Sequence, residues 1–289
     1  MSQVDQCLGD IQDAAFVAFD FEFAGLPAKT RKQQGTSQEL HEDAYVRSRA
    51  SVLKYSALEV GFCTVRWAGS WVVSSCSILV PARSRLVQLD MGSLQFCRRA
   101  EFDMNAWLDA QDQGSEQQHQ AGAVREAILA HKPVLAVHNG LLDLLYLTHC
   151  ILRWELPETL QGFASLVLQS LGPVLDTRHI ALAGAGIPAV PEEHATLNRL
   201  LDYLRRDPLP DWTPAPLKLQ AHRAADDAEA TAHALLLLCG RWEVALQQPI
   251  LVHGWPYAAP FRRFLYCLHI YDKPHVLHLE VASMAHGSQ

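Results

Sequence analysis

The sequence has no C-x-x-C spacing, no long apolar run and no surplus of positive charge. Its seven cysteines are scattered and odd in number, which argues against a disulfide framework and against a cysteine zinc site. No stretch approaches the roughly 20 apolar residues that a membrane-crossing helix needs. Residues 1–15 lack the basic head and apolar segment of a secretory signal. We therefore expect an intracellular protein without a membrane partner, in the nucleus or cytoplasm, with the nucleus slightly favoured.

The charge balance bears on the class of partner. The chain has 24 Lys and Arg against 31 Asp and Glu, a formal net charge of −7. It is therefore unlike proteins that hold nucleic acid through overall positive charge. A carboxylate-rich metal site is still compatible with such a substrate, because bound cations reverse the local charge. Hydrophobic residues make up 49% of the 289 positions, enough for one large domain with a sizeable core.

The first part of the chain predicts strands. Residues 16–26, FVAFDFEFAGL, form an apolar, aromatic run closed by a turn, which predicts a buried strand. The polar segment 29–50 predicts a loop that leads into a helix. Two β-like runs then flank Ala68-Gly69-Ser70, and this arrangement predicts an antiparallel hairpin.

Strands and helices alternate farther along the chain. PVLAVHN predicts a strand, and LLDLLYLTHCILRWEL, after Gly140, predicts a long helix. Further helices are predicted at 161–171, around LNRLLDYLRRD and over HRAADDAEATAHALLLLCGRWEVAL. Strands first and alternation later indicate an α/β domain with a mixed central sheet flanked by helices.

We place this domain at residues 1–248. Its predicted internal loops are the polar stretch around 109–121 and the Pro/Gly-rich stretch 184–221. Residues 249–289 contain two strand-like runs, FRRFLYCLHIY and HVLHLEV. These runs lie beyond the predicted end of the domain, so we treat 249–289 as a C-terminal extension of unknown role.

Two acids interrupt the first apolar strand. Asp20 and Glu22 are two residues apart, so on a strand both point to the same face, roughly 6.5–7 Å apart. Paired carboxylates in a buried strand repel each other and lose hydration unless a cation offsets the charge. Their hard oxygen atoms suit Mg²⁺ or Mn²⁺ better than zinc. Taken alone, the pair is better explained as an ordinary polar strand face.

Two further acids lie in the first turns of predicted helices. Asp143 follows the turn at Gly140, and Asp227 lies early in the last strong helix, five residues after His222. An acid in a first turn is also favoured by the helix dipole, and a loop histidine is more often structural than catalytic. The order along the chain is more specific than any single part: a strand D-x-E, a strand–turn–helix Asp, then H-x-x-x-x-D.

These segments resemble the DEDDh exonucleases, and within them the deadenylase family typified by poly(A)-specific ribonuclease. FDFEFAGL looks like the first motif of that family, HNGLLDLLYL like its second and HRAADDA like its third. The segment LPETLQGFASLVLQSLGPVLDTRHIA is similar to the target-of-EGR branch. The resemblance covers roughly residues 14–245 and implies an RNase H-like fold.

The resemblance also implies a site and a reaction. The metal ligands would hold two Mg²⁺ ions, which Mn²⁺ can replace, and His222 would be the general base. The reaction would be 3′→5′ hydrolysis of RNA, from poly(A), oligo(A) or other 3′ ends, with release of 5′-monophosphates. A homodimer or an RNA-processing complex is plausible for such a family. The residues expected to hold the metal are Asp20, Glu22, Asp143 and Asp227, and those expected to contact substrate are Phe23, Leu26, His138 and Asn139.

Departures from the family pattern leave alternatives open. Arg223 stands where the family has Glu, and Asp226 stands where it has an aromatic residue, so an extra acid lies beside a predicted ligand. Asp176 matches a family position that is not one of the ligands, and we assign it no chemistry. The alternatives are a DNA-directed 3′→5′ exonuclease of the same fold and a catalytically weak interaction subunit of an RNA-processing complex.

Overall fold

The computed structural model describes residues 3–27, 36–83, 87–112, 116–184, 187–206, 223–246, 261–269 and 276–284. Its centre is a seven-stranded sheet with the order β3-β2-β1-β4-β5-β6-β7. The strands are β1 Phe16–Phe23, β2 Ala57–Trp67, β3 Trp71–Leu79, β4 Leu135–Val137, β5 Val174–Asp176, β6 Cys267–His269 and β7 Val276–His278.

The directions of the strands make the sheet mixed. The strands β1, β2 and β3 are joined in antiparallel pairs, and β7 is antiparallel to β6. In between, β1, β4, β5 and β6 run parallel. The predicted hairpin around residues 68–70 is confirmed, as is the α/β class with a mixed sheet. The carboxyl ends of β1 and β4 lie at the same edge of the sheet because the two strands are parallel.

Eleven α-helices surround the sheet within the described ranges, and none of them is long and apolar enough to cross a membrane. They are α1 Gln3–Asp10, α2 Ser37–Lys54, α3 Met91–Arg99, α4 Met104–Asp109, α5 Glu116–His131, α6 Leu141–Tyr146, α7 Leu160–Ser170, α8 Thr177–Ala183, α9 Leu197–Leu204, α10 Ala224–Leu246 and α11 Leu279–Met284. Short 3₁₀ helices occur at Ile11–Asp13, Glu192–His194 and Phe261–Phe264, and a π-helical turn at Leu147–Ile151.

Helices cover both faces of the antiparallel part of the sheet. Gly61 of β2 lies against the first turn of α10, whereas Thr64 lies near Cys7 of α1. Residues an odd number of positions apart on a strand point to opposite faces, so α10 and α1 pack on opposite sides. A buried strand between two helical layers must be apolar on both faces, which explains the unbroken apolar character of most of β1 and β2.

Gly61 allows an unusually close approach between α10 and the sheet. A Cβ atom at Gly61 would lie 1.9 Å from the carbonyl oxygen of Ala224, the first residue of α10. Backbone on both sides leaves no flexible group that could move away. Gly61 is also the cross-strand partner of Asp20. This glycine therefore fixes the start of α10 directly beside the acidic strand.

A second, smaller core lies beyond the end of β1. Its buried members are Ala24, Leu58, Cys97 and Trp107. The Trp107 indole N–H donates to the carbonyl oxygen of Val80 at 3.2 Å, so the segment that carries α3 and α4 is fixed to the end of β3. Neither α3 nor α4 was predicted. This segment forms a wall beside the edge of the sheet where the acids lie.

The segment after residue 248 does not stand apart from the sheet. In place of the single strand predicted for FRRFLYCLHIY, a 3₁₀ helix at Phe261–Phe264 precedes β6. The run HVLHLEV splits into β7 and the helix α11. The Tyr266 N–H donates to the carbonyl oxygen of Val174 in β5 at 2.8 Å. The described parts of the extension thus add strands to the sheet; the domain boundary at residue 248 stays a prediction.

Three other predictions need adjustment. The polar stretch around 109–121 is helical from Glu116 onward, because its Gln, Glu and Ala residues favour helix despite their low complexity. The helix after Gly140 is shorter than predicted and ends in the π-helical turn at Leu147–Ile151. The stretch 184–221 contains α9, as LNRLLDYLRRD predicted, and its residues 185–186 and 207–221 lie outside the described residues.

Candidate metal centre

The strand β1 carries two acids toward one face of the sheet. Asp20 lies opposite Gly61 of β2, and Glu22 lies opposite Glu59 of the same strand. The neighbouring aromatic residues on β1 are largely buried and hold the strand in the core. A register shift follows Glu22, where β1 begins to leave β2. Asp20 and Glu22 are half-buried at the edge of the sheet and point to the same side.

Helix α10 brings a third carboxylate to this pair. Asp227 lies in the first turn of α10 and is largely buried. Three carboxylate oxygens lie within 4.8 Å of one another, one each from Asp20, Glu22 and Asp227. Because residue 61 is glycine, the first turn of α10 can come close enough for this arrangement.

Asp143 joins the site through the backbone of β1. It lies in the first turn of α6 and is 7% exposed. Its Oδ1 accepts the N–H of Phe21, between Asp20 and Glu22, at 3.0 Å. The ladder between β1 and β4 is formed at Val17 and Ala18 and does not reach this N–H. Asp143 therefore satisfies a backbone donor with one oxygen and leaves the other for a ligand.

Burial and mutual repulsion shift the pKa values of these acids upward. Burial is the largest cause for Asp20, followed by the charges of Asp143, Asp227, Glu22 and Glu59. Burial, then the charges of Asp227, Glu59 and Asp143, raises the pKa of Glu22 to about 8. Burial raises the pKa of Asp143 to about 7, although the Phe21 N–H opposes that shift. The cluster is therefore unstable as a set of bare anions near neutral pH.

The donors fit hard divalent cations. In the described part of the chain, no ion pair includes Asp20, Glu22 or Glu59. The ligand atoms are carboxylate oxygens, which Mg²⁺ and Mn²⁺ prefer, and among the described residues no sulfur or imidazole joins the group. Several carboxylates held close together in a half-buried site are best explained by bound metal ions.

The turn that aims Asp143 depends on another buried acid. Asp176, at the end of β5, is fully buried and accepts the N–H groups of Asn139 and Gly140 at 3.0 and 3.3 Å. It also caps α8 by accepting the N–H groups of Arg178 and His179. Asn139 has a φ of 61°, a left-handed conformation that asparagine tolerates better than most residues. Asp176 therefore positions the turn between β4 and α6.

The four predicted substrate residues lie in different surroundings. The ring of Phe23 stacks on Tyr146 with 5.2 Å between centroids, and Leu26 is 55% exposed beyond the end of β1. His138 uses Nδ1 toward the Thr177 hydroxyl at 2.9 Å and Nε2 toward the Ala195 carbonyl oxygen at 3.0 Å. These contacts give His138 a structural role, and contact of any of the four with substrate stays a prediction.

The predicted general base, His222, lies outside the described residues. The next residue, Arg223, is exposed, and its carbonyl oxygen accepts the N–H of Asp227 at 3.0 Å. Asp226 is half-buried in the first turn of α10. His222 is five residues before Asp227 in the sequence. The role of His222 as a general base stays a prediction.

Sequence reasoning missed two acids near the site and the glycine that shapes it. Glu59 lies opposite Glu22 only because of the β1–β2 register, which the sequence does not specify. Asp176 follows two apolar residues of β5, which could have suggested a strand-end acid, but two of its four N–H partners, Asn139 and Gly140, are distant in sequence. The need for Gly61 is visible only once α10 lies against β2.

Comparisons with known proteins agree with this geometry. The family described as CAF1 family ribonuclease matches residues 2–110 and 108–235 of the chain. A search of curated proteins finds no match to the chain. Pop2p of S. pombe, solved with Mg²⁺ and Mn²⁺ bound, is similar with a TM-score of 0.61 and 16% identity, over 86% of this chain and 95% of that one.

Two yeast structures are similar to a comparable degree. One chain in the structure of the yeast NOT1 MIF4G domain co-crystallised with CAF1 has a TM-score of 0.60 and 12% identity, covering 91% of this chain and 90% of its own. The RNase domain of yeast Pop2 has a TM-score of 0.59 and 11% identity, covering 91% and 87%. These likenesses show that the fold is that of the Pop2 and CAF1 RNase domains.

Proposed function

This chain belongs to the CAF1 family of ribonucleases, within the DEDD deadenylases, and we propose that it is a metal-dependent 3′→5′ exoribonuclease. We further propose that it removes poly(A) or oligo(A), or trims other RNA 3′ ends, and releases 5′-monophosphates. Membership of this family confirms the resemblance in its broad form. The finer placement, near poly(A)-specific ribonuclease or the target-of-EGR branch, stays a prediction.

One observation carries the proposal. Three carboxylate oxygens from two distant parts of the chain lie within 4.8 Å of one another, and a fourth acid, Asp143, binds the backbone between two of the three. Acids that were merely solvated would not be brought together in a half-buried site. The order Asp20, Glu22, Asp143, Asp227 is also the order that the sequence motifs predict.

The residues of the site have separable tasks. Asp20, Glu22, Asp143 and Asp227 would hold two divalent ions, which supply Lewis-acid chemistry for phosphodiester hydrolysis when bound. Asp143 also fixes α6 to β1, because its carboxylate accepts the Phe21 N–H. His222 would accept a proton from the attacking water, since an unperturbed imidazole has a pKa of about 6.5.

Residues beside the acids would contact the RNA. Phe23 is the last residue of β1 and is half-buried, and Leu26 follows the strand and is 55% exposed, so both have apolar surface on which a base could stack. The Asn139 side-chain oxygen is buried and has no hydrogen-bond partner within the described ranges. It is therefore available to accept a bond from a sugar hydroxyl. The ring of His138 is already held on both sides, so we expect it to act by supporting Asn139.

A complex is the second part of the proposal. A protein of this fold was crystallised with a NOT1 MIF4G domain; we propose that this chain also works within an RNA-processing complex inside the cell, with the nucleus favoured. A homodimer is the alternative assembly, and size-exclusion chromatography with light scattering distinguishes the two.

The test is a time course on RNAs of one sequence that end in A, U or C, labelled at the 5′ or at the 3′ end. With Mg²⁺ or Mn²⁺, 5′-labelled RNA should shorten one nucleotide at a time, and 3′-labelled RNA should release only mononucleotide. Chelator should stop both. Faster degradation of RNA ending in A would support action on poly(A) or oligo(A).

Other outcomes would favour the alternatives. Equal or faster degradation of DNA oligomers of the same sequence would favour the DNA-directed enzyme. No degradation of any RNA with either metal, by protein that still folds and binds Mn²⁺, would favour the interaction subunit. Release of mononucleotide from the 5′ end would contradict the proposed direction.

A further inference from the structure

A fifth carboxylate lies next to the acidic strand. Glu59 of β2 is the cross-strand partner of Glu22. Directly opposite residues of an antiparallel pair have Cβ atoms about 4.5–5.5 Å apart and point to the same face. Glu59 is not one of the three acids whose oxygens lie within 4.8 Å of one another. It is therefore a neighbour of the proposed ligands without being part of their innermost group.

Among the described residues, no positively charged side chain forms an ion pair with Glu59. β2 is an interior strand, and its partner on the other side of Glu59 is Leu79 of β3. The adjacent residues Leu58 and Val60 are fully buried. Like charges placed directly opposite each other on a sheet destabilise it.

The charge of Glu59 reaches both acids of β1. It is one cause of the raised pKa of Asp20 and also one cause of the raised pKa of Glu22. A charge that acts on two proposed ligands also acts on any cation that they hold, with the opposite sign. Glu59 therefore repels Asp20 and Glu22 in the metal-free protein and attracts the metal ions that these acids would hold.

We propose that Glu59 raises the affinity of the metal centre for divalent cations by adding a negative charge beside the ligands. This inference rests on the proposed function, because it concerns the same site. Its consequence is that the centre fills at lower concentrations of free Mg²⁺ or Mn²⁺ than four carboxylates alone would allow. The ordinary alternative is that Glu59 is a hydrated strand residue without influence on the site.

The test uses Glu59→Gln, which keeps the shape of the side chain and removes its charge. Glu126→Gln is the matched control, since Glu126 is an exposed residue of α5 and its change alters the net charge equally. Binding of Mn²⁺ is measured by electron paramagnetic resonance, and the thermal midpoint is measured in chelator. Neither measurement depends on hydrolysis.

We expect Glu59→Gln to weaken Mn²⁺ binding by about five- to tenfold, the order expected for one nearby unit charge in a partly screened site. In chelator, its thermal midpoint should rise because a like-charge pair has been removed. Glu126→Gln should leave both quantities as in the wild type. Mg²⁺ titration against bound Mn²⁺ should show the same order of affinities.

Three results would overturn the inference. Unchanged Mn²⁺ affinity in Glu59→Gln would show that the charge does not reach the ions, while the proposed function would stand. Weaker binding with a lower midpoint in chelator would show a structural role for the side chain. A wild-type protein that does not bind Mn²⁺ at all would overturn both this inference and the proposed function.

Discussion

Two buried acidic regions of the same sheet differ in how their charges are satisfied. Asp176 accepts four backbone N–H groups, from Asn139, Gly140, Arg178 and His179. In the described part of the chain, no hydrogen bond or ion pair reaches the carboxylates of Asp20 and Glu22, although their strand is equally well packed. Both regions lie at the edge of the sheet where the parallel strands end.

The difference separates a structural acid from a functional one. N–H groups directed at a carboxylate stabilise its charged form and hold it in place without any ligand. Carboxylates that lack such donors and repel one another need a cation from outside the chain. Burial alone therefore does not identify a metal ligand; the absence of internal donors does. Asp143 combines both features, because one of its oxygens is bonded to Phe21 and the other is not.

The largest effect should come from Asp143→Asn. The amide keeps an oxygen for the Phe21 N–H but loses the negative charge, so hydrolysis should fall by about 10³-fold or more. The rate of RNA shortening at saturating Mg²⁺ measures this loss, and circular dichroism checks that the fold is kept. Asp226→Asn, next to Asp227 in the first turn of α10, is the control and should retain most activity. Near wild-type rates for Asp143→Asn would remove Asp143 from the ligand set.

Replacing Asp176 should instead change the stability of the protein, whether or not metal is bound. Asp176→Ala leaves four backbone N–H groups without their acceptor and should lower the free energy of unfolding by about 3 kcal/mol, with or without metal. The exposed cap Asp103, which accepts one N–H from Ala106 at 2.9 Å, is the control, and its change to Ala should cost about 1 kcal/mol. Urea unfolding in chelator measures both. Equal losses would mean that the four bonds to Asp176 contribute no more than one exposed bond.

Substituting Gly61 should displace the acidic site without changing its charges, and Gly172 serves as the control. Gly61→Ala would force the first turn of α10 away from β2 and should weaken Mn²⁺ binding several-fold. Gly172→Ala meets a similar backbone clash, 2.2 Å from the Pro133 carbonyl oxygen, at the amino end of β5. Both variants should be less stable, but only Gly61→Ala should lose metal affinity beyond its loss of stability. Equal Mn²⁺ affinities in the two variants would show that Gly61 does not position Asp227.

The last expected effect is a pH dependence of stability in chelator. The pKa of Glu22 in the folded protein is about 8, against an ordinary value of 4.5, so the folded state holds this proton more tightly than the unfolded state. Its contribution to stability is complete below about pH 4.5 and is lost as the pH rises through about 8. The thermal midpoint of the wild type should therefore fall over this range relative to Glu22→Gln. Identical slopes for the two proteins would contradict a raised pKa for Glu22.

Local pattern and the order of the motifs pointed to the four acids of the proposed site. Asp20 and Glu22 were recognisable because two acids interrupt an apolar strand, and Asp143 and Asp227 because each opens an apolar helix. Nothing local marks Glu59, whose partner depends on the register between β1 and β2. The structural role of Asp176 depends on donors from a turn 36 and 37 residues away.

The fold was predictable to a similar extent. The antiparallel start and the later alternation of strands and helices were visible in the hydrophobic pattern. The segment of α3 and α4 was not visible in that pattern, because its packing against Leu58 and Ala24 is a tertiary contact between short, weakly patterned segments. The π-helical turn at Leu147–Ile151 was also missed, since the apolar run continues through it without any breaking residue.

The last strands have a practical consequence for anyone who shortens this protein. A polypeptide that stops at residue 248 would lack β6 and leave the outer edge of β5 without its neighbour. It would also uncover Trp242, whose ring packs on Phe261 with 4.8 Å between centroids. Open sheet edges beside bare aromatic surface promote pairing between copies. Such a fragment should precipitate or self-associate although it still contains every proposed ligand of the metal ions.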